Sequence, residues 1–221
     1  MKREIITSKD GSHTLNVPEM DETYHSVNGA LTESRHVFIE NGLNNLIGNQ
    51  FNVFEVGFGT GLNAMTTLEW LSSHLNTKVN YDTIEAFPVS VDLIDRLNYN
   101  NLFDFVDSNK LFDMIHKSKW GESVLINSQF TLRKIEENLE LFTFKENYYD
   151  CIYFDAFAPN KQEELWSLEI LKHCYDSLKE RGSFVTYCAK GQLKRDLKGL
   201  GFTLKMEPGP PGKREMTTAI K

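Results

Sequence analysis

The sequence predicts an α/β fold built on a mostly parallel, seven-stranded sheet that ends in an antiparallel strand. A short apolar segment at 52–56 runs into three closely spaced glycines and then directly into a helix predicted over 62–74. Strand and helix patterns alternate after it, as expected for parallel strands joined by helical crossovers. The chain closes with strand patterns at 202–207 and 216–220 around a Pro-Gly-rich loop, which indicates an antiparallel pair.

The other elements follow from local patterns. Residues 1–50 predict an N-terminal extension that packs on the ligand site, with a hairpin around Asp10 and Gly11, a polar loop and a helix from Glu33. Residues 101–127, rich in Phe, Trp and Leu with interleaved charge, predict a helical excursion within a main domain at 51–221. The remaining predicted strands cover 79–86, 130–134, 150–154 and 182–188, and the remaining predicted helices cover 90–99, 165–178 and 190–200.

Composition restricts the class of protein. The chain has 221 residues and is 40% hydrophobic, enough for one large domain with its own core. No apolar run approaches the roughly 18 residues of a membrane helix, and the basic N-terminus lacks the apolar core of a signal peptide. Cys151, Cys174 and Cys188 are odd in number, and neither they nor the scattered histidines show metal-ligand spacing. We therefore expect a cytoplasmic protein with reduced core cysteines and no metal or membrane partner.

The glycine segment predicts a nucleotide-like ligand. Gly57, Gly59 and Gly61 allow a tight turn and a close approach of the backbone to a ligand. A dinucleotide fold places its third glycine three residues after the second, whereas the interval here is two. Glu55 would repel a pyrophosphate but suits the cationic amino-acid end of S-adenosylmethionine. The other interpretation is a glycine-rich turn without a ligand. The predicted cofactor-binding residues of this segment are Glu55, Gly57, Phe58, Gly59, Thr60 and Gly61.

Acidic residues follow the next two predicted strands. Glu85 ends the second strand, where open parallel sheets bind ligands, and its carboxylate can accept both hydroxyls of an adenosine ribose. The other interpretation is a solvated carboxylate at the strand end. After the third strand, Glu136 and Glu137 are equal candidates for holding the adenine amine.

The segment Asp155-Ala-Phe-Ala-Pro159 follows a buried strand, across the crevice from the glycines. It resembles the acid-Pro-Pro-aromatic motif of amine N-methyltransferases, in which the acid orients an amine and the aromatic ring stacks on the target base. Asp155 is the predicted catalytic residue, because it could accept a hydrogen bond or a proton from the amine. Phe157 and Pro159 are predicted to contact the substrate. Alternatively, Asp155 merely caps the next turn.

Positive charge is concentrated at the C-terminus. The whole chain carries a net charge of −7, yet residues 190–221 contain eight Lys or Arg against three acids. Such a patch could hold a polyanion, or it could be a solvated helix face followed by a basic tail. The predicted substrate-binding cations are Lys190, Lys194, Arg195, Lys213 and Arg214.

Four motifs resemble the N-terminal methyltransferase domain of the MnmC family, whose stand-alone version is called MnmD: residues 22–30 with 33–38, 55–63, 155–159 and 209–216. The resemblance implies a class I, Rossmann-like S-adenosylmethionine-dependent methyltransferase, with Tyr24 and Asn63 in the cofactor site. It implies methylation of the exocyclic amine of 5-aminomethyl-(2-thio)uridine at the tRNA wobble position, giving the 5-methylaminomethyl derivative. Bifunctional members add a flavin-dependent domain that makes the amine. This chain ends at Lys221, so we expect no flavin and a separate enzyme that supplies the amine.

Two other functions fit the same patterns. A small-molecule amine methyltransferase or aminopropyltransferase of this fold would suit the acidic net charge and an Asp at the amine site. A scaffold that binds S-adenosylmethionine without catalysis is the other, although the Asp155 motif argues against it. The basic residues of 190–221 favour tRNA as the partner. The sequence indicates no oligomeric state.

Overall fold

A computed structural model describes residues 2–221. The N-terminal part forms a three-stranded antiparallel sheet in the order β1-β2-β3, from Glu4–Thr7, His13–Val17 and Glu22–Thr23. The β1–β2 turn lies at Asp10 and Gly11, as predicted, and Gly11 has a positive φ of 85°. This small sheet leads into the first helix.

Helix α1, Ala30–Ser34, begins before the predicted Glu33 and continues as a π-helical segment, Arg35–Glu40. Its first turn is capped from the hairpin and not from its own N-cap residue. The side chains of Ser8, Ser12 and Asp10 accept hydrogen bonds from the backbone N–H groups of Ala30, Leu31 and Thr32, respectively. These bonds satisfy N–H groups that a helix start leaves without partners, and they tie the hairpin to α1.

The main part of the chain alternates strands and helices, as predicted. The helix predicted over 90–99 is short and is followed by turns. In chain order the elements are β4 (Gln50–Val56), α2 (Leu62–Ser72), β5 (Lys78–Ile84), α3 (Val91–Ile94), α4 (Ser108–Lys117), β6 (Ser123–Asn127), β7 (Phe130–Ile135), β8 (Tyr149–Phe154), α5 (Leu168–Ser177), β9 (Leu178–Thr186), α6 (Gly191–Leu200), β10 (Thr203–Pro208) and β11 (Glu215–Ile220).

These strands form one sheet in the order β10-β11-β9-β8-β4-β5-β7-β6. The five strands from β9 to β7 are parallel, whereas β11 is antiparallel to both of its neighbours and β6 is antiparallel to β7. The order places β4 at the centre, with β8 on one side and β5 on the other. The ligand-binding ends of these three strands therefore lie next to one another.

The predicted count of seven strands is wrong, because residues 2–221 form a main sheet of eight strands. The helical excursion predicted over 101–127 contains α4 but ends in β6, which adds an edge strand beside β7. The turn between them is held by Asn127, whose side chain accepts hydrogen bonds from the backbone of Gln129 and Phe130, both at 2.8 Å. Such Asx turns replace the Gly-containing hairpin signal that marks a β-hairpin in sequence.

Two hydrophobic clusters cover the faces of the sheet. One packs α2, α4 and the N-terminal extension on the sheet, and the other packs α5 and α6. Leu15 and Phe38 of the extension are fully buried in the first cluster, so the extension shares the core of the main sheet. The three cysteines are unpaired and buried, as predicted. Within residues 2–221 no helix is long and apolar enough to cross a membrane.

Candidate active site

A cleft of about 890 Å³ opens at the carboxyl ends of β4, β5 and β8. Its walls come from the glycine loop after β4, the segment after β5, the loop after β7 and the segment after β8. Two residues that follow β3, Tyr24 and His25, close its side. The cleft thus collects residues from four strand ends and from the N-terminal extension.

The glycine loop forms a cradle whose backbone faces the cleft. Gly57 has a φ of 90°, and a Cβ there would lie 2.9 Å from the backbone oxygen of Asp155. Gly59 has a φ of 51°, and a Cβ there would lie 3.0 Å from the ring of Tyr24. Side chains at these positions would therefore strain the backbone and press on the cleft wall. Their absence leaves the loop backbone open to a ligand.

Glu85 is fixed on the floor of the cleft. Its Oε2 accepts a hydrogen bond from the backbone of Gly59 at 3.0 Å, and its Oε1 accepts one from Phe87 at 2.9 Å. A carboxylate oxygen has two acceptor sites, so each oxygen can still accept a donor from a ligand. This arrangement fits the two hydroxyls of a ribose. Further along, Glu137 lines the cleft, whereas Glu136 is not among its lining residues.

Asp155 lies where the cleft reaches the end of β8. Its carboxyl is buried, and Oδ2 accepts a hydrogen bond from Asn63 Nδ2 at 2.8 Å. Burial raises the pKa of Asp155 to about 7, against the opposing effect of the Asn63 bond. Glu33 raises the same pKa, and Lys213 lowers it. The carboxyl can therefore change protonation state near neutral pH.

Tyr24 lines the cleft and contacts the segment after β8. Its ring contacts the ring of Phe157 edge-on, with centroids 5.2 Å apart. Arg3 also lines the cleft and donates hydrogen bonds to the backbone oxygens of Phe87 and Pro88. The N-terminal strand is thereby attached to the segment after β5, over the predicted cofactor site.

Five predicted cofactor residues are not among the residues that line the cleft: Glu55, Phe58, Thr60, Gly61 and Asn63. Glu55 is fully buried, and its Oε2 accepts a hydrogen bond from Thr83 Oγ1 at 2.7 Å. Burial raises the pKa of Glu55 to about 8. Thr60 lies within hydrogen-bond distance of the Tyr99 hydroxyl at 2.8 Å, and Phe58 is buried. These side chains support the loop from its protein side, and their direct contact with a cofactor stays a prediction.

His25 is a cleft residue that no sequence pattern predicted; the histidines showed no metal-ligand spacing, and no role was assigned to them. It lines the cleft, is 8% exposed, and places Nε2 at 4.0 Å from Asp155 Oδ2. The sequence feature that could have indicated a role for His25 is its position next to Tyr24 in the motif at residues 22–30.

A second groove, of about 910 Å³, lies on the far side of the Asp155 segment. Pro159 and Tyr187 are on its walls, and the Tyr187 hydroxyl donates a hydrogen bond to the backbone oxygen of Ala156 at 2.9 Å. The segment from Asp155 to Pro159 therefore borders the cleft with its first residues and the groove with its last. Of the predicted substrate-binding cations, Lys190, Lys213 and Arg214 line this groove, whereas Lys194 and Arg195 do not.

The five predicted cations differ in their partners. Lys213 forms an ion pair with buried Glu33 and lies 3.8 Å from the ring centroid of Tyr187. Lys194 pairs with Glu215 at 2.7 Å. Arg214 Nε lies 3.9 Å from Glu215 Oε1, a longer ion-pair distance, and the Arg214 side chain is 94% exposed. Lys190 donates to the Asn160 amide oxygen at 3.3 Å, and Arg195 donates to the Gln192 amide oxygen at 2.7 Å.

Comparisons with known proteins agree with this geometry. A family model described as an S-adenosyl-L-methionine-dependent methyltransferase matches residues 115–221. The bifunctional protein MnmC of Cupriavidus metallidurans, named for tRNA 5-methylaminomethyl-2-thiouridine biosynthesis, is 30% identical over 98% of this chain and 33% of its own length. MnmC of Leptospira borgpetersenii is 29% identical over 90% of this chain and 32% of its own length. This chain thus spans about a third of the length of these relatives.

The solved structure of MNMC2 from Aquifex aeolicus shares the fold. It superposes with a TM-score of 0.79 at 22% identity and covers 99% of this chain and 69% of its own. The resemblance stated from the sequence motifs is confirmed, and so are the methyltransferase fold and S-adenosylmethionine as the cofactor. The glycine cradle and the fixed carboxylate of Glu85 fit that cofactor.

Proposed function

We propose that this chain, a relative of the methyltransferase part of MnmC, methylates the exocyclic amine of 5-aminomethyl-(2-thio)uridine at the tRNA wobble position. The product would be the 5-methylaminomethyl derivative. The relatives' names support this substrate, since they state 5-methylaminomethyl-2-thiouridine biosynthesis in tRNA. The same proposal includes the cytoplasm as the location and a separate enzyme as the source of the aminomethyl group.

The observation that carries the proposal is the place of Asp155. Its side chain is 9% exposed and lines the cofactor cleft, four residues before Pro159, which lines the groove that presents Lys190 and Arg214. Asn63 occupies Oδ2, and no group among residues 2–221 donates to Oδ1. An amine held in the cleft beside the glycine loop would therefore find a carboxylate oxygen with no protein donor.

When bound, S-adenosylmethionine supplies an activated methyl group on a positively charged sulfur. The glycine loop and Glu85 would hold the cofactor, and the contact between Tyr24 and Phe157 would exclude water from the reacting centre. Asp155 has two tasks in this mechanism. It orients the amine through Oδ1, and it accepts the proton that an alkylammonium must lose before its nitrogen has a free lone pair.

The lining of the groove favours a nucleic acid over a small amine as the methyl acceptor. Pro159 and Tyr187 offer flat apolar surfaces for a base, and the exposed Arg214 can reach a phosphate. A free polyamine would need carboxylates along its length, and the groove lining contains Glu215 as its one acid among the described residues. That acid is already paired with Lys194.

Methyl transfer to bulk tRNA tests this function. The tRNA is purified from cells that lack this enzyme, and radiolabel from S-adenosylmethionine is followed into nucleosides. We expect label in 5-methylaminomethyl nucleosides, and binding of tRNA that weakens as salt rises. Label that enters putrescine or spermidine but not tRNA would replace the proposal with a small-molecule amine transferase.

A further inference from the structure

His25 faces the predicted catalytic carboxyl from the N-terminal extension. It follows β3, is 8% exposed and lines the cleft next to Tyr24. Its Nε2 lies 4.0 Å from Asp155 Oδ2, too far for a hydrogen bond but within the range of an ion pair. Such contacts in a free active site commonly shorten when a substrate binds. The proton on the His25 ring therefore decides what this contact can do.

The contacts of Thr14 favour one tautomer of the His25 ring, because Nδ1 is the acceptor within reach of the Thr14 hydroxyl hydrogen. Its hydroxyl oxygen accepts a hydrogen bond from the His25 backbone N–H at 3.0 Å. The same hydroxyl lies 3.3 Å from His25 Nδ1 and can donate its single hydrogen there. Since Nδ1 then acts as the acceptor, a neutral ring carries its proton on Nε2. That N–H faces Asp155.

The two oxygens of Asp155 are thus unequal. Oδ2 faces the His25 Nε2–H and already accepts from Asn63 at 2.8 Å, while Oδ1 has no donor among the described residues. If the His25 contact shortens to a hydrogen bond, Oδ2 gains a second donor, and two donors on one oxygen favour the charged form of a carboxylate. The same two donors would hold the plane of the carboxyl group in one orientation.

We propose that His25 is a positioning residue for Asp155: when the acceptor amine binds, its Nε2–H donates to Oδ2, keeps the carboxylate charged and directs Oδ1 at the amine. This inference rests on the proposed function. The proton step balances within the site. One N–H bond of the alkylammonium breaks, its electron pair stays on nitrogen as the lone pair, and the proton forms an O–H bond with Oδ1, which leaves a neutral amine and a neutral carboxylic acid.

The charged neighbours of the pair come from several elements. Burial lowers the pKa of His25 to about 4, so that the ring is neutral around pH 7 and acts as a donor without adding charge. Burial raises the pKa of Asp155, and the hydrogen bond from Asn63 lowers it. We expect a second donor, from His25, to lower it as well. The titratable groups that face the pair are Glu33 on α1, Lys213 after β10, Tyr187 after β9, Glu55 on β4, Tyr81 on β5 and Asp10 in the hairpin.

Three variants separate positioning from simple packing. His25→Leu removes the donor, whereas His25→Gln keeps an N–H near the position of Nε2. Thr14→Val keeps the imidazole and removes the hydroxyl that fixes its tautomer. For each variant, carbon-13 NMR of labelled Asp carboxyls follows the titration of Asp155 without cofactor but with an aminomethyl-uridine anticodon stem-loop bound, and single-turnover methylation of aminomethyl tRNA is measured across pH.

We expect His25→Leu to move the Asp155 titration and the acid limb of the rate profile upward together, by about one pH unit, with little loss on the alkaline side. Thr14→Val should shift both in the same direction by less, and His25→Gln should restore both. The substrate amine titrates in the same way with every variant, so a difference between the pH-rate profiles of two variants comes from the enzyme. An Asp155 titration that is unchanged in His25→Leu and Thr14→Val would overturn the inference, as would a rate reduced equally at every pH. If the wild type methylates no tRNA, the proposed function fails, and the carboxyl titration still decides the His25 contact.

Discussion

Asp155 is held between opposing effects. Burial favours its neutral form, whereas the hydrogen bond from Asn63 favours the charged form, and the balance leaves its pKa at about 7. A carboxyl in this state can take a proton from an ammonium group and release it again near neutral pH. A carboxyl on the surface would stay charged and would be a weak base.

Replacement of the carboxylate by an amide tests this role. Asp155→Asn keeps the size and one acceptor oxygen but removes the charge. We expect single-turnover methyl transfer to fall by about 10²–10⁴-fold, the usual range for a positioned proton-transfer group. Affinity for S-adenosylmethionine, measured by calorimetry, should change much less. Near-normal rates of Asp155→Asn across pH would show that this residue only caps its turn.

The buried carboxyl of Glu55 makes the unfolding free energy depend on pH. Its folded-state pKa of about 8 lies above its ordinary value of 4.5 because it is fully buried. The protein binds this proton more tightly than the unfolded chain does, so its contribution is fully present below about pH 4.5 and is lost as the pH rises through about 8. Glu55→Gln stays neutral, so we expect a flatter decline of the unfolding free energy over this window, by up to a few kcal/mol.

Urea unfolding at several pH values measures that decline without cofactor. Glu122→Gln is the matched control, because the Glu122 side chain is 60% exposed. A wild type and a Glu55→Gln variant with parallel pH curves would contradict a neutral buried Glu55.

At the scale of elements, the glycine loop is the part most sensitive to a single methyl group. Gly57 has a φ of 90°, and its Cβ would approach the Asp155 carbonyl to 2.9 Å. We expect Gly57→Ala to weaken S-adenosylmethionine binding by at least about tenfold, because the loop must shift to accommodate the methyl group. Gly121→Ala is the matched control. Its φ is 80°, but nothing lies within 4 Å of the added Cβ.

Calorimetry measures the effect of each alanine on cofactor affinity, and the melting temperature measures its effect on stability. Both variants should lose some stability from backbone strain, and only Gly57→Ala should lose affinity. Equal affinity in the two variants would mean that the cofactor does not approach this loop.

The central strands and the glycine loop could be predicted because their signals are local: apolar runs, glycines and the acids that follow them. β6 could not, since Ser123–Asn127 is a short edge strand whose turn depends on the Asn127 side chain. The role of His25 depends on a contact with a residue far away in sequence. Glu55 illustrates a different limit. Its position in a central strand agrees with the prediction, but whether its carboxylate reaches the ligand depends on neighbours such as Thr83 on the adjacent strand.

Over the whole molecule, the distribution of charge is uneven. The chain is acidic overall, yet the groove beside Asp155 presents Lys190 and the exposed Arg214. Ion pairs already neutralise Lys213 and Lys194, which makes these two poorer candidates for phosphate contacts than the sequence suggested.

Reversal of the two available charges tests the RNA surface. We expect Lys190→Glu with Arg214→Glu to weaken tRNA binding. The slope of log affinity against log salt should also fall in magnitude by about one to two, because the variant makes fewer phosphate contacts and so releases fewer counterions when it binds. Lys119→Glu with Lys172→Glu is a control of equal charge, at exposed positions away from the groove. If the control and the groove variant behave alike, tRNA binds elsewhere on the protein.

The central claim is that the cleft at Asp155 methylates an amine on the wobble uridine. Its most direct test uses two synthetic anticodon stem-loops that differ only at the wobble position, one with 5-aminomethyl-2-thiouridine and one with 2-thiouridine. The protein and S-adenosylmethionine are mixed with each in single turnover, and the nucleosides are analysed by mass spectrometry. We expect the first to gain one methyl group on the exocyclic nitrogen and the second to gain none. A methyl group on any other atom, or equal methylation of both stem-loops, would contradict the account.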